Sequence, residues 1–155
     1  MSDTNGKKIS DVLSFEKANV LITDPCYIIN HDNEDDWGKC GCGRNMNVLG
    51  IHHYISDSTL YGDWSCTVYE NETKQVLGHF CADSGEVGVF DLDEVLKYNP
   101  KFAERLAKTP FLATVIPNFT GKIWLADFKV GKNPEPARRV VGKGNVCFMS
   151  KQTGL

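Results

Sequence analysis

Apolar residues along this chain fall mostly at two-residue intervals or in short runs, each bounded by Gly, Pro, Asn or Asp, which is the pattern of many short β-strands. Residues 19–23 form a short apolar run that must stop or bulge at Asp24-Pro25, because Pro25 has no N–H to give to a ladder. Residues 27–29 resume an extended pattern, and 48–55 read as a further strand. Residues 64–69 alternate, with Trp64, Cys66 and Val68 on one face; 71–74 read as a turn and 75–81 as the return strand of a hairpin. Another strand is predicted over 86–90. Residues 111–116 and 122–130 are expected to pair as a hairpin around 117–121, with Trp124, Ala126, Phe128 and Val130 on one face. After a Pro-containing loop over 131–137, Val140-Val141 and 146–149 read as a last hairpin across Gly142-Lys143-Gly144-Asn145.

The helical pattern is confined to 91–108. Asp91 is a suitable N-cap, and Glu94 three positions later makes an acidic form of the capping box, so a helix is predicted over 92–98. Asn99 reads as the cap of a second short helix, with Pro100 at its first position, Leu106 near its end and Pro110 closing it. Residues 30–47 are polar and Gly-rich and are expected to form a long loop, with at most a helical turn near Trp37. Residues 1–8 are expected to be a flexible terminus. The fold class that follows is α+β, mainly β: a curved antiparallel sheet or sandwich with a short helical pair at about 91–108, in one domain spanning 1–155.

Composition adds exclusions. At 41% hydrophobic and 24% charged the chain is ordinary for a globular protein. A net charge of -3 argues against general affinity for a nucleic-acid backbone. No apolar run approaches the roughly 18 residues of a membrane span, and residues 1–10 lack the apolar core of a secretion signal. A cytoplasmic location is therefore expected, and with it free thiols for the six cysteines. Cys66, Cys81 and Cys147 lie in strand-like runs and read as small core residues.

The candidate chemistry gathers at strand ends. Asp24, Tyr61, Asp63, Asp83, Ser84 and Glu86 each flank a Gly or Pro turn at a strand end, so the fold is expected to bring them to one surface; Cys26 is a further binding candidate at the first of these strand ends. Clustered carboxylates suit acid–base work or a hard cation; equally, Asp24 before Pro25 suits an Asx-turn, and Asp83-Ser84-Gly85 a plain β-turn. Cys26 has the residue type of a nucleophile, yet no Cys–His motif surrounds it, and a buried structural thiol is the stronger reading. Cys40 and Cys42 with His52 and His53 carry zinc-binding residue types at a spacing that fits no standard module; two exposed thiols are expected instead. Gly142-Lys143-Gly144-Asn145 after Arg138-Arg139 lacks the full phosphate-loop spacing and reads as a hairpin turn. Asp35, Asp36 and Trp37, in the acidic stretch of the long loop, suit recognition of a basic partner surface. Nothing in the sequence calls for a cofactor or a metal.

Asp24-Pro25-Cys26-Tyr27, Tyr61-Gly62-Asp63, Asp83-Ser84-Gly85-Glu86-Val87-Gly88 with Phe90-Asp91, and Gly142-Lys143-Gly144-Asn145 with Gln152-Thr153-Gly154 occur here in one order. That order resembles a group of small uncharacterised bacterial and tailed-phage proteins, over most of the chain from about Val20 onward. Residues 37–47, with two of the cysteines, depart from the group's pattern. The resemblance implies a phage or mobile-element context, hence a host cytoplasm, and carries no catalytic residue with it. The expected function is that of an accessory protein binding a host protein, such as a defence component, or a small ligand. The alternative is a hydrolase using the clustered Asp residues, with or without a metal.

Overall fold

A computed structural model describes residues 11–30, 32, 34–40, 45–58, 64–70, 76–109, 112–129, 136–142 and 147–151. Among the described residues, two antiparallel sheets and a helical layer make up the architecture. The larger sheet contains β1 (Leu13–Thr23), β2 (Tyr54–Ser58), β5 (Glu86–Asp91), β6 (Ala113–Lys129) and β7 (Pro136–Gly142), in the order β2-β5-β1-β6-β7. The smaller contains β3 (Trp64–Glu70), β4 (Val76–Ala82) and β8 (Cys147–Lys151), in the order β4-β3-β8. The α-helices among the described residues, α1 (Glu34–Cys40), α2 (Leu92–Tyr98) and α3 (Phe102–Lys108), of seven residues each, join the other face of the larger sheet. The mainly antiparallel α+β class and the helical pair near 91–108 are as the sequence predicts.

Alternation along the strands divides the core in two. Val20 and Ile22 of β1, Val87 and Val89 of β5 and Ile55 of β2 point toward Val68 of β3 and Phe80 and Ala82 of β4, filling the space between the sheets. Leu21, Phe90 and Ala113 point the opposite way, against Ile28, Ile29, Met46, Val95 and Phe102. Register links these sets, since directly opposed residues share a face: Leu21 lies opposite both Phe90 and Val115, and Ile22 opposite both Val89 and Thr114.

The period slips by one in the middle of β1 and of β6. Leu13 and Phe15 face the intersheet core at odd positions, whereas Val20 and Ile22 face it at even ones. In β6 the change runs from Thr114 and Ile116 to Phe119 and Ile123. Both slips coincide with residues in the left-handed region, Lys17 (φ 48°) and Asn118 (φ 53°), and with irregularities in the β1–β6 register. These are β-bulges, each inserting a residue and reversing the faces of all that follows. Backbone groups freed at the bulges find side chains: Lys17 N–H donates to Thr120 Oγ1 (3.0 Å) and Asn118 N–H to Asn19 Oδ1 (3.2 Å).

Several sequence expectations are corrected here. Residues 113–129 form one strand, not a hairpin: Pro117, exposed and without a register partner in β1, sits at the bulge, where its missing N–H costs no ladder bond. β1 starts well before residue 19. Residues 25–27 make a 3-10 turn, because Asp24 caps it and Pro25 supplies a helical φ; with Tyr27 in the turn and Ile28 at φ -75°, ψ -33°, the extended segment expected over 27–29 does not form as predicted. Residues 46–49 are a second 3-10 turn ended by Gly50 at φ 88°, so the strand predicted over 48–55 begins only at Tyr54. Much of the expected long loop is helix α1. The last two strands do not pair as a hairpin; β7 joins β6 and β8 joins β3. Asn99 is not the cap of α3: Lys101 holds that position and the Asn99 side chain donates to Ile28 O (3.0 Å). Residues 1–8, the 71–74 turn and 143–145 lie outside the described residues.

Candidate functional site

Strand register builds the site. Pairing of Thr23 with Gly88 brings the C-terminal end of β1 beside the bend that leads into β5, where Gly85 takes φ 74°. Asp24 thus faces Ser84. Its carboxylate accepts from Cys26 N–H (2.9 Å) within its own turn, and from both Ser84 N–H (2.7 Å) and Ser84 Oγ–H (2.6 Å) across the gap. Asp24 is fully buried, so these three bonds replace the water it lost. Thr23 braces the same corner, donating from Oγ1 to Leu112 O (3.0 Å).

Next to this clamp, the Tyr27 hydroxyl donates to Asp83 Oδ2. Arg105 of α3 closes on the other side: Nη1 donates to Tyr27 O (2.6 Å), and the guanidinium carbon stands 5.7 Å from the Tyr27 ring centroid. Tyr27 therefore joins the DSG bend to the helical layer. A similar link holds α1, where the Tyr98 hydroxyl donates to Asp36 Oδ2 (2.5 Å) and accepts from Asn30 N–H (3.1 Å).

Electrostatics holds these protons in place. Burial, then the negative charge of Asp24 and hydrogen bonding to it, then the charge of Asp83, push the Cys26 thiol far above its ordinary value; Ser84 opposes this. Burial and the bond to Asp83 likewise raise the Tyr27 phenol. Burial and the bond to Asp36 push Tyr98 up to about 12. Cys26 is thus a neutral thiol at neutral pH, unsuited to nucleophilic attack. Among the histidines, His53 places Nε2 2.8 Å from Ser14 O and packs edge-on against Phe15.

The predicted residues separate accordingly. Asp24, Cys26, Asp83 and Ser84 come together, with Glu86 buried nearby in β5 opposite Ser58. Tyr61 and Asp63 lie outside the described residues. Asp36 corrects the picture of an exposed acidic loop: it is buried on α1 and bonded to Tyr98, while Asp35 is exposed and only the backbone of Trp37 is described. Cys40 is fully buried in the helical core, not exposed, and Cys81 is half-buried. Cys42 lies outside the described residues. Among the described residues no three His, Cys, Asp or Glu side chains gather in a metal-binding cluster, and no helix is long and apolar enough to cross a membrane. Arg105, Tyr98 and Asn99 were not foreseen at the site; their partners lie 78, 62 and 71 positions away, and nothing local marks them. Compared with protein-family models, with curated proteins and with solved structures, the chain matches none.

Proposed function

We propose that the protein acts by binding: an accessory factor of the phage or mobile-element kind that engages a host protein, such as a defence component, or a small ligand in the host cytoplasm. One observation carries the preference for binding over turnover. The acid of the DPCY motif is fully buried and engaged in hydrogen bonds to Cys26 and Ser84. Such a carboxylate supports a fold; it has no exposed face with which to take a proton from a substrate. The thiol beside it is kept protonated. The phage context rests on the order of the sequence motifs.

The test is a screen of purified protein for multiple turnover on nucleotides, phosphoesters and peptides, with and without divalent metal, beside Asp24→Asn and Asp83→Asn. Binding predicts no turnover and a lower melting temperature in both variants. Turnover that disappears in a variant still folded like the parent overturns the proposal in favour of hydrolysis.

A further inference from the structure

A cleft of about 220 Å³ lies where Ile29, Asn30 and Asp32 meet the α2–α3 junction, with Ile29 buried in its wall. It adjoins the site described above through Arg105, which both lines it and holds Tyr27. Several groups in it have bonding capacity that the fold leaves unused. Asn99 is only 4% exposed. Its Nδ2 donates to Ile28 O, which fixes the orientation of the amide and leaves Oδ1 with no donor among the described residues. A buried amide oxygen in that condition calls for a partner from outside the fold. Asn30 Oδ1 accepts from Asp32 N–H (3.0 Å), so its Nδ2 hydrogens are left without an acceptor among the described residues. Arg105 gives Nη1 to Tyr27 O, and its remaining donors form no ion pair among the described residues.

Charge narrows the ligand class. Lys101 and Asp32 line the cleft already paired (2.8 Å), and Glu104 joins Arg105 as the other charged lining residue. A simple anion would meet Arg105 but also Glu104 and the acceptor oxygen of Asn99; a simple cation would meet Arg105. A molecule carrying both charges satisfies every group. The volume, below the roughly 300 Å³ at which drug-sized sites begin, suits a molecule of a few heavy atoms.

We propose that this cleft binds a zwitterion of amino-acid size, its carboxylate on Arg105 and Asn30 Nδ2 and its ammonium on Asn99 Oδ1 and Glu104. The proposal supplies a ligand class for the binding reading above and rests on it. A free amino acid and the ends of a dipeptide share this chemistry.

Titration calorimetry with glycine, alanine, leucine, glutamate and dialanine, beside acetate, methylamine and inorganic phosphate, tests it. Saturable binding of at least one zwitterion is expected, with acetate and methylamine weaker by about tenfold or more. Glu104→Gln changes an exposed side chain, so the fold is retained, and should weaken the zwitterion by about tenfold. Arg105→Gln should do so more strongly, and Lys108→Gln, outside the cleft, should have no effect. Dialanine binding as well as alanine would identify peptides as the source; alanine alone would identify free amino acids. The proposal is overturned by no saturable heat with any zwitterion up to about 10 mM, by single-charge analogues binding equally well, or by Glu104→Gln binding like the parent. Absence of zwitterion binding in a protein without turnover removes this cleft alone; Asp24-dependent turnover removes the binding reading itself.

Discussion

The Asp24 carboxylate accepts both the N–H (2.7 Å) and the hydroxyl (2.6 Å) of Ser84, sixty positions further along the chain. Two turns that each look self-contained in the sequence are thereby one structural unit. The unit closes the end of the larger sheet at the point where β1 leaves it and β5 enters.

Asp24→Ala is expected to destabilise the protein by about 3 kcal/mol, since it leaves the buried Cys26 N–H and the half-buried donors of Ser84 without their acceptor, at about 1–3 kcal/mol for a buried donor and less for a half-buried one. Urea unfolding followed by circular dichroism measures this. Ser84→Ala should cost less, about 1–2 kcal/mol, because Cys26 N–H and the Ser84 backbone still serve the carboxylate. Equal stability of Asp24→Ala and the parent would contradict the clamp.

Stability should fall on the alkaline side. Cys26, Tyr27 and Tyr98 all have folded-state values above their ordinary ones. In each case the folded state keeps the proton that the unfolded chain loses, so the contribution is full below the unfolded values, about 8.5 for Cys and 10 for Tyr. It is lost as pH rises from there through the folded values, for Tyr98 up to about 12. Urea midpoints at a series of pH values from about 8 to 11 should decline, and Tyr27→Phe with Tyr98→Phe should flatten the decline.

Gly88 faces the helical layer on β5, opposite Thr23. A Cβ there would stand 2.4 Å and 2.6 Å from two Phe90 ring carbons. That ring is fully buried and stacked on Tyr54 at 5.8 Å, so it has little room to yield. Gly88→Ala should cost about 1–3 kcal/mol, read as a lower thermal midpoint.

Thiol reactivity offers a check on the site's electrostatics. Brief iodoacetamide treatment of folded protein near neutral pH, with peptide mapping, should leave Cys26 and Cys40 unmodified, as both are buried and Cys26 is held protonated. Half-buried Cys81 should label faster than either. Rapid labelling of Cys26 would revive the nucleophile reading.

Local pattern sufficed wherever one residue type had one structural use. Asp91 is the α2 cap it was expected to be, with its side chain accepting from Asp93 N–H (3.0 Å). The alternating runs at β3, β4 and β5 became strands within a residue or two of the predicted bounds. The failures share a cause. Pro117, Asn118 and Gly121 have the chemistry of a turn, but a β-bulge asks for the same positive φ and the same missing N–H, and only the partner strand decides between them. The bulge at Lys17 also reverses the faces of β1, erasing the continuous alternation by which an eleven-residue strand would be recognised. Sequence alone thus determined the fold class, the α2 cap and the strand-end positions of Asp24 and Ser84, because propensity and short-range hydrogen bonding act over a few residues. Tertiary structure decided that Asp24 is saturated, that Asp36 turns inward to Tyr98 and that Arg105 and Asn99 meet the 28–30 segment, because those contacts depend on register and burial between segments about sixty or more positions apart.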